Sequence, residues 1–315
     1  MLPILDSLRG NIDPILTGIV QGFSNEEFIA QKLFPAVSVS KQTGKYPTFT
    51  KEGLRIHDTT RALKDPTVKQ MPRDVWTMSA YELKEHPLET MIDHLEIEAA
   101  VDIANLETYY SEMVMNSILL EAENECVTLA VTPANYGANT TALSGDDCWT
   151  NIASKPLTQI QDAISAIRNA MLQEPNILIL GTDSFLAIKE HASLIDKMKY
   201  SQLGIVTEDL ISAMISTKNN KIDVFVGKGM YQNTADVLVD LWGDVAILAY
   251  VSKGAAGRRS KYYSSFGYNF VMNGYPMAAR RQTDYGLTTG VMAAHMYKPY
   301  IVSALCGYLY TNTKA

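Results

Sequence analysis

Cysteine is scarce in this chain: three in 315 residues, Cys126, Cys148 and Cys306, none spaced as C-x-x-C. That argues against a cysteine-based zinc site and against a disulfide-stapled small domain, and fits reduced, partly buried thiols in a chain made in a cytosol. No stretch approaches the roughly 18 apolar residues of a membrane-crossing helix. The N-terminus has no basic segment running into an apolar one, so neither secretion nor a membrane partner is expected. Positive charge is short as well, with 27 Lys+Arg against 34 Asp+Glu and a net of −7. A general nucleic-acid binder would show the reverse balance. No internal repeat is evident. What is present, 47% hydrophobic and 19% charged residues, suits one large or two modest domains with a real core.

The stretch from Asp102 to Thr132 organises the rest. Ile103, Leu106, Tyr110, Met113, Leu120, Val127 and Val131 recur at steps of three, four or seven, which predicts one face of a helix. Asp102 suits its N-cap, and Pro133, Asn135 and Gly137 stop it. Such a helix is a rod of about 45 Å. Its polar face carries Glu107, Glu112, Glu121, Glu123 and Glu125 with no Lys or Arg, so a partner is expected there. Charge is divided sharply along the chain. Residues 41–74 hold eight Lys/Arg and four Asp/Glu, a net of +4, whereas residues 82–125 hold twelve acids and one lysine, a net of −11.

Taken in order, residues 1–22 read as a mobile arm with short helical pieces, and residues 25–30 as a short helix closed by Leu33-Phe34-Pro35. Val37–Ser40, Lys45–Phe49 and Val75–Met78 alternate like strands around a polar middle. That pattern predicts a long two-stranded excursion with too few apolar residues to stand alone, hence one that lies on a neighbouring molecule. Glu85–Ala100 reads as an acidic helix with Pro87 in its first turn. Beyond a loop, Ser154 is an N-cap candidate for a helix with Leu157, Ile160, Ile164, Ile167 and Met171 inside. Ile177–Leu180 is continuously apolar, as in a strand covered on both faces. Helices to His191 and over 207–215, then strands at 223–226, 237–241 and 245–251, complete an α/β unit over 150–251. Residues 262–315 are rich in Tyr, Thr and Val and read as strands returning to cover the long helix. The class is α+β.

A search for chemistry finds little. His86, Glu89, Asp93 and His94 lie close together but form no H-E-x-x-H pattern, and solvated charge explains them. Gly227-Lys228-Gly229 lacks the phosphate-loop form, and Gly254–Arg259 lacks a dinucleotide fingerprint. No G-x-S-x-G occurs, and nothing brings Cys148 and His191 together. No enzyme, cofactor or metal site is expected.

Fragments spread from about 23 to 270 carry a resemblance. They are Phe28-x-Ala30 with Leu33-Phe34-Pro35, Gly44-Lys45-Tyr46-Pro47, Glu85-His86 with Leu88-Glu89, Ser154-x-Pro156, Pro175-Asn176, Leu180-Gly181, His191 and Lys197-x-Lys199-Tyr200. Val224-Phe225-Val226-Gly227, Leu241-Trp242-Gly243-Asp244, Ala249-Tyr250-Val251 and Phe266-Gly267-Tyr268 complete the set. In this order they resemble the HK97-type fold of tailed-phage major capsid proteins. The resemblance implies an N-terminal arm (1–36), an E-loop hairpin (37–83), a peripheral domain (84–149 and 255–315) with a spine helix at about 102–132, and an axial domain (150–254). It implies self-association into pentamers and hexamers of an icosahedral shell around double-stranded DNA contacted without sequence preference. A portal and scaffolding or decoration proteins are further implied partners, with assembly in the host cytoplasm and residence in the virion. An encapsulin-type nanocompartment is the alternative. Contacts between subunits are expected from the basic Lys45, Lys51, Arg55, Arg61, Lys64 and Lys69 to the acidic Glu107, Glu112, Glu121, Glu123 and Glu125. No long, charged helical segment stands ahead of the first matching fragment, so scaffolding is expected from a separate protein or none. Nothing singles out a cross-linking Lys–Asn pair, and no covalent cross-links are expected.

Overall fold

The computed structural model describes residues 12–49, 60, 68–70, 76–99, 102–199, 206–218, 220–253, 260–282 and 286–314. In chain order its first half holds α1 (Pro14–Gly22), α2 (Ala30–Leu33), β1 (Ala36–Val39), β2 (Thr43–Phe49), β3 (Trp76–Glu82), β4 (Lys84–Asp93), α3 (His94–Ala99), the long α4 (Ile103–Val131) and β5 (Thr140–Ala142). The middle holds α5 (Pro156–Met171), β6 (Ile177–Gly181), α6 (Thr182–Glu190), α7 (Ala192–Lys199), α8 (Glu208–Ile215), β7 (Asp223–Gly227), β8 (Met230–Gln232), β9 (Leu238–Asp240) and β10 (Ala246–Ala249). Four strands return: β11 (Gly267–Met272), β12 (Met277–Gln282), β13 (Thr288–Ile301) and β14 (Gly307–Thr311).

Helix α4 forms where the apolar spacing places it. Asp102 Oδ1 accepts from the Asn105 amide at 3.3 Å, capping the first turn, and Pro133 opens the 3-10 turn that ends the helix. The buried face differs in phase from the expected stripe. Ser111, Val114, Met115, Ile118, Glu123, Cys126, Val127 and Ala130 are inside, while Ile103 and Met113 are 48% and 42% exposed. Small and polar residues share the buried face, so counting large apolar side chains misplaces it.

The first sheet runs β1-β11-β13-β12, with β4 on the free side of β13. The acidic helix expected over 85–100 is therefore mostly strand, since Lys84 to Asp93 pair with Tyr297 to Thr288 and only α3 is helical. Leu88, Met91 and Ile92 mimic helical spacing, but the unpaired edge of β13 captures them. Pro87 is tolerated because β4 is an outer strand, where a missing amide costs no ladder bond on the open side. The arm is also docked over 12–22. Asp13 caps α1 through the Ile15 and Leu16 amides, and Leu16 and Val20 pack with Val114, Ile118 and Ala278.

The second sheet runs β5-β14-β10-β6-β7. It does not close within 150–254: β14, which pairs with β10, and β5, which pairs with β14, both come from outside that span. One face packs Trp149, Leu157, Ile160, Ile167, Leu178, Leu180 and Ile211 beneath α5 to α8. The other packs Ile179, Ile247 and Trp242 against Cys126, Val127 and Ala130 of α4. Helix α4 thus bridges both sheets.

Candidate assembly surfaces

The hairpin rises from an aromatic base. Strands β2 and β3 pair from Thr43↔Glu82 to Phe49↔Trp76. Tyr46 and Tyr81, both buried, lie 5.6 and 4.9 Å from the Phe270 ring. Gly44 allows this: a Cβ there would meet the Tyr81 hydroxyl at 2.6 Å. Lys261 Nζ donates to the Lys45 carbonyl at 2.9 Å and lies over the Tyr81 ring, clamping the exposed side. Of the basic residues singled out, Lys45 and Lys69 are described and exposed. Lys51, Arg55, Arg61 and Lys64 lie outside the described residues.

The acidic face of α4 is largely answered within the chain. Arg280 reaches Glu107 at 2.7 and 3.0 Å, and Lys298 reaches Glu125 at 2.8 Å. His86 Nδ1 stands 3.4 Å from Glu121, and nearby Arg281 forks onto Glu89 at 3.1 and 2.9 Å. The expectation of an unpaired face fails for a physical reason: its cations, Arg280 and Lys298, come from strands 173 positions further along. Solvent-accessible pairs such as Arg280–Glu107 contribute only ~0–1 kcal/mol. Glu121 is exposed and Glu112 half-exposed, so both still face outward.

Glu123 corrects the expectation outright. It is 3% exposed and cannot meet another copy. Its Oε1 accepts from the Ile29 amide at 3.1 Å and from Trp242 Nε1 at 3.1 Å, and its Oε2 accepts from the Ala30 amide at 2.9 Å. One carboxylate therefore joins the entry to α2, the long helix and the second sheet. Burial pushes it up to about 6, while those three donors pull the other way, and above that value it is ionised. No sequence motif marks it; the only signal is an acid in step with Cys126, Val127 and Ala130.

The other motifs find structural roles. Gly227 ends β7 beneath Trp242, where a Cβ would run into the indole, and Lys228 approaches Glu208 at 4.0 Å. Ser154 is not the N-cap of α5, a position held by Lys155. Its hydroxyl lies 3.1 Å from His191 Nε2. Because His191 Nδ1 accepts from the Ser193 amide at 3.2 Å, Nε2 is left to donate to the Asn151 carbonyl at 3.1 Å. His191 is thus a buried tie between the 151–154 loop and the start of α7. Cys148 turns instead towards the Asn312 carbonyl. No group of three or more His, Cys, Asp or Glu suited to a metal occurs among the described residues, and no helix among them is long and apolar enough to cross a membrane.

A long helix bridging two sheets, a hairpin rooted beside the first and helices covering the second define the HK97-like class of shell proteins. No family model matches the chain. The major capsid protein of Burkholderia phage BcepMu is 35% identical over 300 residues, 95% of each chain. A phage-related protein from Bordetella bronchiseptica RB50 superposes with a TM-score of 0.80 at 28% identity, over 96% of this chain and 97% of its own. The SrpI encapsulin of Synechococcus elongatus PCC 7942 superposes with a TM-score of 0.53 at 8% identity, over 91% and 88%, a likeness of fold alone. The chain belongs to the major capsid proteins of phages. It is a structural component of the virion capsid and associates with copies of itself.

Proposed function

We propose that this chain is the principal subunit of an icosahedral head, assembled in the host cytoplasm from pentamers and hexamers and enclosing double-stranded DNA. The observation that carries this reading is the match to a phage capsid protein along 95% of both chains, nearly the whole length rather than one transplanted domain. Residues 37–83 act as the loop laid over an adjacent subunit. Residues 84–149 and 255–315 act as the peripheral unit, and 150–254, completed by β5 and β14, as the axial unit around capsomer centres. The basic 41–74 segment supports this placement, since its net of +4 suits the acidic 82–125 region of a neighbour. Glu112, Glu121 and the exposed acids of α3 are the recipients, in place of Glu123. Such contacts are individually weak and screened by salt, yet repeated around a closed symmetric shell they set register. A portal, scaffolding or decoration proteins and the packaged DNA are its further partners, and the chain has no catalytic task.

Negative-stain microscopy of the expressed protein tests this. Closed particles are expected, and deletion of residues 50–70 should abolish them while leaving the melting transition of the unassembled chain within a few degrees. Particles that form without that segment would refute the placement of the hairpin. A nanocompartment shares the fold, and particle contents separate the two readings: long double-stranded DNA against a protein cargo.

A further inference from the structure

The joint between α2, α4 and the first sheet is polar where an interface this deep is ordinarily apolar. Among the described residues, five buried side-chain atoms have no hydrogen-bond partner: His86 Nε2, Glu125 Oε2, Asn269 Oδ1, His295 Nδ1 and the Tyr297 hydroxyl. They gather in one place. His86 and His295 are opposed across β4 and β13, and the Tyr297 ring lies 4.4 Å from one and 5.1 Å from the other. Glu125 reaches the same strand through Lys298. Asn269 and His295 together line a cavity of ≈40 Å³ whose third polar wall is Glu123. The rest of that wall is Phe28, Phe34, Leu119, Ala122, Cys126 and the Ala30–Gln31 segment.

Buried polar atoms without partners are rare in folded proteins, and where several converge they bind water. The chemistry here favours it. Asn269 Oδ1 and a carboxylate can only accept, and although Gln31 and His295 in the cavity wall carry N–H donors, neither is paired with Asn269 Oδ1. Water supplies two donors and two acceptors. A water site needs about 10–15 Å³ and two to four polar partners, and the cavity meets both requirements.

We propose that this cavity is a water-binding site, in which water held by Asn269 Oδ1, His295 Nδ1 and the Glu123 carboxylate joins the long helix to the first sheet beside the arm. Burial and the neighbouring His86 push His295 down to about 4, so its ring is neutral at ordinary pH and free to accept from or donate to that water. The Glu123 carboxylate is then held to the arm by direct amide bonds and to the first sheet through solvent.

A cryo-electron microscopy map of the assembled shell, sharp enough to place waters, tests the proposal. The expected result is a density peak at hydrogen-bond distance from both Asn269 Oδ1 and His295 Nδ1. A dry cavity, direct pairing of the two side chains, or a peak with the short, multiple contacts of a cation would overturn it. In solution, Asn269→Leu should shift the unfolding equilibrium about tenfold towards the unfolded chain, because it removes one anchor and leaves the other two. Unchanged or increased stability would mean that the space was never hydrated. The map of the unaltered shell decides the matter even if the variant does not fold.

Discussion

Replacing Glu123 with glutamine isolates the energetic role of the one carboxylate that ties arm, helix and second sheet together. The native carboxyl is pushed up from an ordinary 4.5 to about 6. Between those values the folded chain holds a proton that the unfolded chain has not yet taken, so stability rises as pH falls from about 6 to 4.5. That difference corresponds to about 2 kcal/mol. Glutamine cannot ionise and removes this dependence. The assay is urea denaturation of each protein at several pH values, followed by tryptophan fluorescence, since the Trp242 indole donates to this carboxylate. Other carboxylates titrate in both proteins, so the quantity of interest is the difference between the two curves. Relative to the variant, the native chain should gain this full amount between pH 7 and pH 4. A difference that stays flat across that range, or slopes the other way, would refute the reasoning. Glu123→Ala is a separate and harsher change. It strands three buried donors at about 1–3 kcal/mol each, and should lower stability by several kcal/mol at every pH.

His295 should show the opposite slope. Its folded value is depressed from 6.5 to about 4, so stability is lost as pH falls through that window, by up to about 3 kcal/mol. His295→Phe should therefore gain on the native chain in acid, as read from the same denaturation series. Lys298→Ala leaves the part-buried Glu125 unpaired and should cost about 2 kcal/mol. The loss should shrink when Glu125→Gln is present as well, in a double-mutant cycle of thermal melts. Gly227→Ala drives a methyl into Trp242 and should destabilise by about 3 kcal/mol in the same melts. By contrast, Gly18→Ala, inside α1 with nothing within 4 Å, should stabilise by about 0.5–1 kcal/mol.

Much of the architecture was legible because local chemistry decided it. Asp102 and Pro133 bound the long helix, the continuous run Ile177–Leu180 marks a covered strand, and Thr207 caps α8 through the Leu210 amide. Apart from the phase of the long helix and the cap of α5, the misreadings share a cause, which is distance along the chain. Nothing near residues 84–93 announces that β13, far downstream, will draw them into a strand. The acids at 107 and 125 look unpaired until Arg280 and Lys298 arrive. Glu123 reads as another surface acid because its partners, Ile29, Ala30 and Trp242, are 94, 93 and 119 positions away. The basic hairpin was legible as charge; the docking proposed for it would be a property of two molecules and is written in neither strand of the base.

The neighbouring strands β13 and β14 carry an implication for timing. One is the hub of the first sheet and the next completes the second, so residues 288–311 stitch the subunit shut. While the ribosome is still making that segment, β4, β11 and β12 have no common partner and β10 has an open edge. A nascent chain is therefore without a finished mating surface, and recruitment into a growing lattice waits on translation of β13 and β14. Premature stops should yield aggregates or degraded fragments, and defective shells should seldom contain a truncated tile.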